Sequence, residues 1–175
     1  RIPYMIVFQE QAKYKDTYAG RMDFVGLEAH LLRPKNRPAK TVVVFMHPIG
    51  GGAYLPMVSA LAKKGYHVIY CNSRYRGVDS ALIMEKVVLD LNACIKDAKA
   101  RWGYEKVVLA GWSGGGSLSL FFQSQAEKPT VEFTPAGDSP DLTRAGLEPA
   151  QGMMLLAAHI SRAGTLTEWM DASIL

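Results

Sequence analysis

Four short apolar runs, separated by segments of helix length, constrain this chain more than any other feature. They are Thr41–Met46, Tyr66–Cys71, Lys106–Ala110 and Met153–Ala158. The first reads Thr-Val-Val-Val-Phe-Met. Such a β-branched, continuously apolar run is expected of a strand buried on both faces of a parallel sheet. The intervening segments read as helices. Residues 55–64 carry Pro56 in the first turn, with Gly65 just past the end, the positions that each residue prefers. Residues 81–100 place Met84, Val87, Val88, Leu91, Cys94, Ile95 and Ala98 on one face at spacings of three and four. Residues 114–125 are small and apolar, which predicts a buried helix. Strands that alternate with helices imply βαβ units and a mostly parallel, doubly wound α/β sheet with helices on both faces.

Residues 4–10 and 24–32 read as further strands, the second stopped by Pro34. Residues 33–40 form a polar turn, and residues 127–150, with four of the nine prolines, a long loop. A final helical segment starts near residue 161, around Leu166, Trp169 and Met170. There is no internal repeat and no low-complexity tract. In open α/β sheets the ligand site lies at the carboxyl ends of the strands. That places the loops 47–54, 72–80 and 111–116 at the site.

The third loop carries the chemistry. Val107-Val108-Leu109-Ala110-Gly111-Trp112-Ser113-Gly114-Gly115-Gly116 is a G-x-S-x-G pattern between a buried strand and a helix. The chain must turn sharply there, so the central residue is expected in a strained conformation. Its neighbours two positions away, Gly111 and Gly115, must lack bulk. The turn lifts the Ser113 hydroxyl above the sheet at a helix N-terminus, where developing negative charge is favoured. The bland alternative is a glycine-rich turn that serves packing or holds a phosphate. No Lys follows the glycines, as a phosphate-binding P-loop requires.

The first loop reads His47-Pro48-Ile49-Gly50-Gly51-Gly52. Acyl transfer needs backbone N–H donors aimed at the oxyanion. Gly114 supplies one. Pro48 has no N–H, so the second is expected from Ile49 or Gly50, and the sequence does not choose between them. His47 is read as bracing the loop through its ring, with general-base duty as the alternative.

These parts together resemble the α/β-hydrolase superfamily over residues 20–160. The matching residues are the His47-x-x-Gly50-Gly51-Gly52 turn, an Arg74-Tyr75-Arg76-Gly77 loop with Ser80, and the Gly111–Gly115 elbow, in the family's order. The resemblance is greatest to serine esterases and thioesterases with an inserted cap. It implies a serine hydrolase that cleaves a carboxylic ester or thioester through an acyl-enzyme on Ser113. The alternative is a non-catalytic module that uses the same pocket for a small apolar ligand or a protein partner. Arg74 and Arg76 are expected in a solvated turn.

The family orders its triad as Ser, then Asp or Glu, then His. The resemblance implies that the acid and the His lie beyond residue 175. Residues 1–160 then form the N-terminal part of the core, and residues 161–175 begin a cap. Of the residues after Ser113, only His159 is a candidate His. It is read as pocket-lining, as structural, or as a substitute base. Trp112 is a candidate pocket residue. Asp138 and Asp141 are read as solvated loop carboxylates. On this reading the sheet is incomplete, and the remaining half of the same core is an expected partner. The opening Arg1, where a natural chain starts with Met, points the same way.

Composition narrows the classes. Apolar residues make up 49% and charged residues 21% of 175, with a net charge of +4. These proportions fit a globular domain. No apolar run reaches the roughly 18 residues of a membrane helix, so no membrane partner is expected. No basic run with interleaved aromatics points to nucleic acid. The four His and two Cys are scattered without ligand spacing, so neither a metal site nor a cofactor is expected. Cys71 and Cys94 read as buried thiols, and the protein as cytoplasmic.

Overall fold

A computed structural model describes residues 1–10, 24–51, 55–77, 81–170 and 173. The expectations for Gly52, for Ser80 and for the end of the cap segment fall outside the described residues.

Six strands form one sheet. They are β1 (Ile2–Gln9), β2 (Phe24–Leu32), β3 (Thr41–Phe45), β4 (Val68–Cys71), β5 (Lys106–Ser113) and β6 (Gly152–Ala158), in the spatial order β1-β2-β4-β3-β5-β6. β4, β3, β5 and β6 run parallel, whereas β1 pairs antiparallel with β2, and β2 antiparallel with β4. The helices are α1 (Pro56–Lys63), α2 (Met84–Trp102), α3 (Gly114–Glu127) and α4 (Arg162–Met170). The mostly parallel α/β architecture expected from the alternating runs is present.

Both faces of the central strands are buried, and the strand period of two divides them between two cores. Val42, Val44, Ile69, Val107 and Leu109 join one cluster with Leu91, Ile95 and Phe122 of α2 and α3. Val43, Phe45, Val68, Tyr70 and Ala110 join the other, with Val58 of α1. A strand with helices on both sides must be apolar at every position, as β3 is.

The helix α2 starts at Met84, not 81, with Ile83 in extended conformation before it. It ends at Gly103, whose φ of 73° gives the left-handed cap that glycine favours. The expected apolar face is buried, but so are Glu85, Asp90 and Asn92. The Asn92 amide pins the long loop by bonding Gly146 O and the Glu148 N–H. That loop also holds a short 3-10 turn, Leu142–Arg144, whose start Asp141 caps by accepting from the Thr143 N–H at 2.9 Å. The Thr143 hydrogen bonds hold the Asp141 carboxyl below its ordinary range. Cys71 and Cys94 are buried and free.

Candidate active site

Ser113 ends β5, and Gly114 opens α3. The strain expected at this turn is present: Ser113 has φ 52° and ψ −125°. A side chain rarely tolerates that geometry unless its surroundings enforce it. The glycines explain the enforcement. A Cβ on Gly111 would stand 2.5 Å from Gly115 O, and one on Gly115 2.7 Å from Met46 O. One on Gly116 would stand 2.2 Å from the Ala158 Cβ. Three close approaches, two to backbone oxygens and one to the Ala158 side chain, thus clamp the turn between the end of β3, β6 and the first turn of α3. Gly116 was not singled out from the sequence, because its neighbour comes from a strand 42 positions further along the chain.

β6 answers this crowding with its own irregularity. Its register against β5 shifts between Trp112 and Ser113. Ala157 takes φ 43°, although it is not glycine. The His159 N–H then donates to Ser113 O at 3.0 Å, so the residues after β6 lie directly beside the elbow.

The loop after β3 sits on the other side. His47 Nδ1 accepts from the Ile49 N–H at 3.3 Å, so the ring braces the loop as expected. Nε2 faces the elbow, 3.2 Å from where a Cβ on Gly114 would lie. The Gly50 N–H donates to His47 O at 3.0 Å, which closes a tight turn, and Gly50 has φ 68°. The Gly51 N–H donates to the Asn72 side chain at 3.0 Å. In this structure both amides named as candidate second donors, Ile49 and Gly50, have acceptors inside the loop. The cause is the turn itself, which Pro48 promotes and which points these amides inward. Of the two, Ile49 is held more weakly, since 3.3 Å is beyond the usual N–H hydrogen-bond range. Gly114, at the first turn of α3, has no intrahelical acceptor for its N–H.

The loop after β4 holds the first loop in place. Besides Asn72, the Ser73 hydroxyl donates to Pro48 O, and the Gly77 N–H donates to Ile49 O at 2.8 Å. Arg74 is not in a solvated turn. Its side chain is 16% exposed and pairs with Glu10 and with the fully buried Asp90. Arg76, 65% exposed, pairs with Glu28 at the surface. Burial pushes the Asp90 carboxyl above its ordinary value, and the Arg74 contacts offset only part of that rise.

Trp112 and His159 are placed differently from one another. Trp112 points into the α1-side core, near the His47 ring at 5.9 Å between centroids. The neighbouring side chains there leave a void of only about 10 Å³. His159 meets Trp169 of α4 edge to face at 5.2 Å. Neither lines the larger cleft next to the elbow, which has a volume of about 670 Å³. That cleft lies between the starts of α2 and α3, under the loop around Pro135 and beside Ile160. Sequence reasoning missed it, because its walls come from four separate segments. Among the described residues, no hydrogen bond joins the Ser113 hydroxyl to a His or a carboxylate, and no His/Cys/Asp/Glu cluster could hold a metal ion.

The family model described as alpha/beta hydrolase fold matches residues 41–130, from β3 to the residues just after α3. The chain belongs to the α/β-hydrolase fold family. Solved structures that resemble it include Est1E from Butyrivibrio proteoclasticus, at 19% identity and a TM-score of 0.47 over 59% of this chain and 42% of that one. Another is a thermostable carboxyl esterase from Bacillus coagulans, at 13% identity and a TM-score of 0.49 over 74% and 42%. A brefeldin A esterase, a bacterial homologue of human hormone sensitive lipase, matches at 18% identity and 0.46 over 72% and 36%. The matched region thus spans less than half the length of each of these relatives. No curated protein matches the chain.

Proposed function

We propose that this α/β-hydrolase-fold chain is a serine hydrolase, acting on a carboxylic ester or thioester through an acyl-enzyme. The observation that carries the reading is the strained Ser113, held between β5 and α3 by glycines at which a Cβ would force the neighbouring atoms to shift. A turn needed only for packing has no reason to put a serine at its strained apex. In the proposed reaction the Ser113 oxygen attacks the substrate carbonyl carbon and displaces the alcohol or thiol, and water then releases the acid. The Gly114 N–H stabilises the oxyanion from the start of α3. Ile49 becomes the second donor if the substrate oxygen displaces its weak contact with His47. None of the described residues is proposed as the base or as its acidic partner. α4 is read as the start of a cap over the site.

No helix among the described residues is long and apolar enough to cross a membrane. A cytoplasmic location remains the proposal, as does the absence of nucleic-acid and membrane partners.

The test is labelling of the intact protein with a fluorophosphonate. Wild type is expected to label, and Ser113→Ala to lose the label together with esterase turnover, by about 10⁴-fold or more. Equal labelling of both would overturn the proposal. A wild type that does not label but still binds an apolar ligand would favour the non-catalytic module.

A further inference from the structure

A second cleft lies at the other end of the sheet. Its walls are the loop that joins β2 to the amino end of β3, together with Arg1 and Ile2 of β1's start and His67 just before β4. β5 runs from Lys106, which pairs with Thr41, to Ser113. About 20 Å of strand therefore separates this cleft from the elbow, and the reaction proposed above does not use it.

The charge of the lining has one sign. Arg1, Arg33, Lys35 and Arg37 line the cleft, and no Asp or Glu does. None of the four forms an ion pair among the described residues. The two carboxylates closest along the chain are engaged elsewhere: Glu105 with Lys40 at 2.7 Å, and Glu28 with Arg76 and His30. The chain on either side of each lining residue is described. Residues 10 and 24, between which the description is interrupted, lie at the far end of β1 and β2, since Gln9 pairs with Phe24 and Ile2 with Leu31. Like charges held together raise the energy of the fold unless an anion offsets them.

The loop that carries these cations is held from several sides. His67 is buried; its Nε2 donates to Arg37 O at 2.7 Å, and its Nδ1 bonds the Tyr104 hydroxyl at 2.7 Å. Arg37 Nη1 donates to Lys64 O at the end of α1, over Gly65, where a Cβ would stand 1.8 Å from that nitrogen. Pro34 and Pro38 restrict the loop on both sides of Asn36, which takes φ 60°. The Arg33 guanidinium lies 5.7 Å from the centre of the Trp102 ring. Arg33 and Lys35 nevertheless make no side-chain hydrogen bond among the described residues. A fixed loop with uncommitted cationic donors loses little freedom when an anion binds. The volume of about 620 Å³ falls within the range of small-molecule sites.

We propose that this cleft binds a soluble small molecule bearing two or more phosphate groups, at a site separate from Ser113. The guanidinium forks match pairs of phosphate oxygens, and Lys35 adds a point charge. A single phosphate engages only part of the cluster, so a chain of phosphates is favoured. Binding here needs no chemistry at the elbow and is independent of the serine-hydrolase reading.

The experiment is calorimetry on the intact protein at physiological ionic strength, with sodium tripolyphosphate and orthophosphate as probes. Tripolyphosphate is expected to bind at one site, at least about tenfold more tightly than orthophosphate. The double variant Arg33→Gln, Lys35→Gln should weaken it by about tenfold or more. The double variant Lys96→Gln, Lys128→Gln removes the same charge from exposed positions outside the cleft and should leave the affinity unchanged. Thermal unfolding checks that both doubles are folded, and Lys35→Glu gives an independent loss if the first double is not. No saturable binding by wild type, or equal weakening in the two doubles, overturns the inference, because net charge alone would then account for any attraction. Co-sedimentation with phosphatidylcholine vesicles containing phosphatidylinositol bisphosphate separates the sources of phosphate. Sedimentation that depends on Arg33 and Lys35, without affinity for tripolyphosphate, overturns the assignment to a soluble ligand. Ser113→Ala is expected to bind tripolyphosphate as wild type does, so loss of the hydrolase reading would leave this site standing.

Discussion

Arg74 and Asp90 lie 16 residues apart and meet through three hydrogen bonds: the Arg74 backbone N–H and Nε each reach the carboxylate at 2.9 Å, and Nη2 at 2.8 Å. A buried charge stays tolerable only while its partner is present. Arg74→Met is therefore expected to cost about 3–5 kcal/mol, by leaving Asp90 uncompensated, which urea unfolding would measure. The pH dependence follows from the raised Asp90 pKa. Between the ordinary carboxylate value and the raised one, the folded state binds more protons than the unfolded state. Stability from this group therefore falls as pH rises through that window. Asp90→Asn should flatten that part of the stability curve, as unfolding at a series of acidic pH values would check. None of this was legible from Arg74 itself, which reads as a polar loop residue like Arg76. Whether a charge is buried depends on what packs opposite it, and Glu10 and Asp90 reach it from β1's end and from α2.

At the scale of elements, the elbow was the most legible part of the chain. Strand, turn and helix are contiguous there, and the requirement for Gly111 comes from the backbone of Gly115 close by, although that for Gly115 comes from Met46 O after β3. Gly116 shows where local reading stops, because its constraint is the Ala158 side chain of β6. Gly116→Ala forces α3 away from β6 and is expected to destabilise by about 1–3 kcal/mol through overpacking. Thermal unfolding reads the loss, with reduced labelling of Ser113 as its consequence at the site. The loop after β3 was legible in a different measure. The role of His47 as a brace follows from its position, but the direction of the Ile49 and Gly50 amides does not. A tight turn and a Gly-rich open loop share the same residues, and the bonds to Asn72 and Ser73 decide between them.

Across the whole molecule, stability should be graded outward from β3 and β5. Each has a hydrogen-bonded strand on both sides and helices on both faces. In native-state hydrogen exchange their amides are expected to exchange last, through global opening. Those of β1, which pairs with β2 alone among the described strands, should exchange earlier by local fraying. Equal protection of β1 and β5 would contradict this grading.

What the sequence determined by itself was local: which runs are strands, which are helices, that the sheet is mostly parallel and faces helices twice, and that Ser113 sits at a strained strand-to-helix turn. These follow from periodicity, β-branching and glycine placement, which act over a few residues. Only the tertiary structure decided the antiparallel join of β2 to β4, the burial of Arg74 with Asp90, the inward turn of the Ile49 and Gly50 amides, and the cleft that the starts of α2 and α3 share with Ile160. Each depends on segments far apart in the chain meeting in space. There the energy of a group is set by its neighbours' charges and shapes, which the residue's own surroundings in the sequence do not contain.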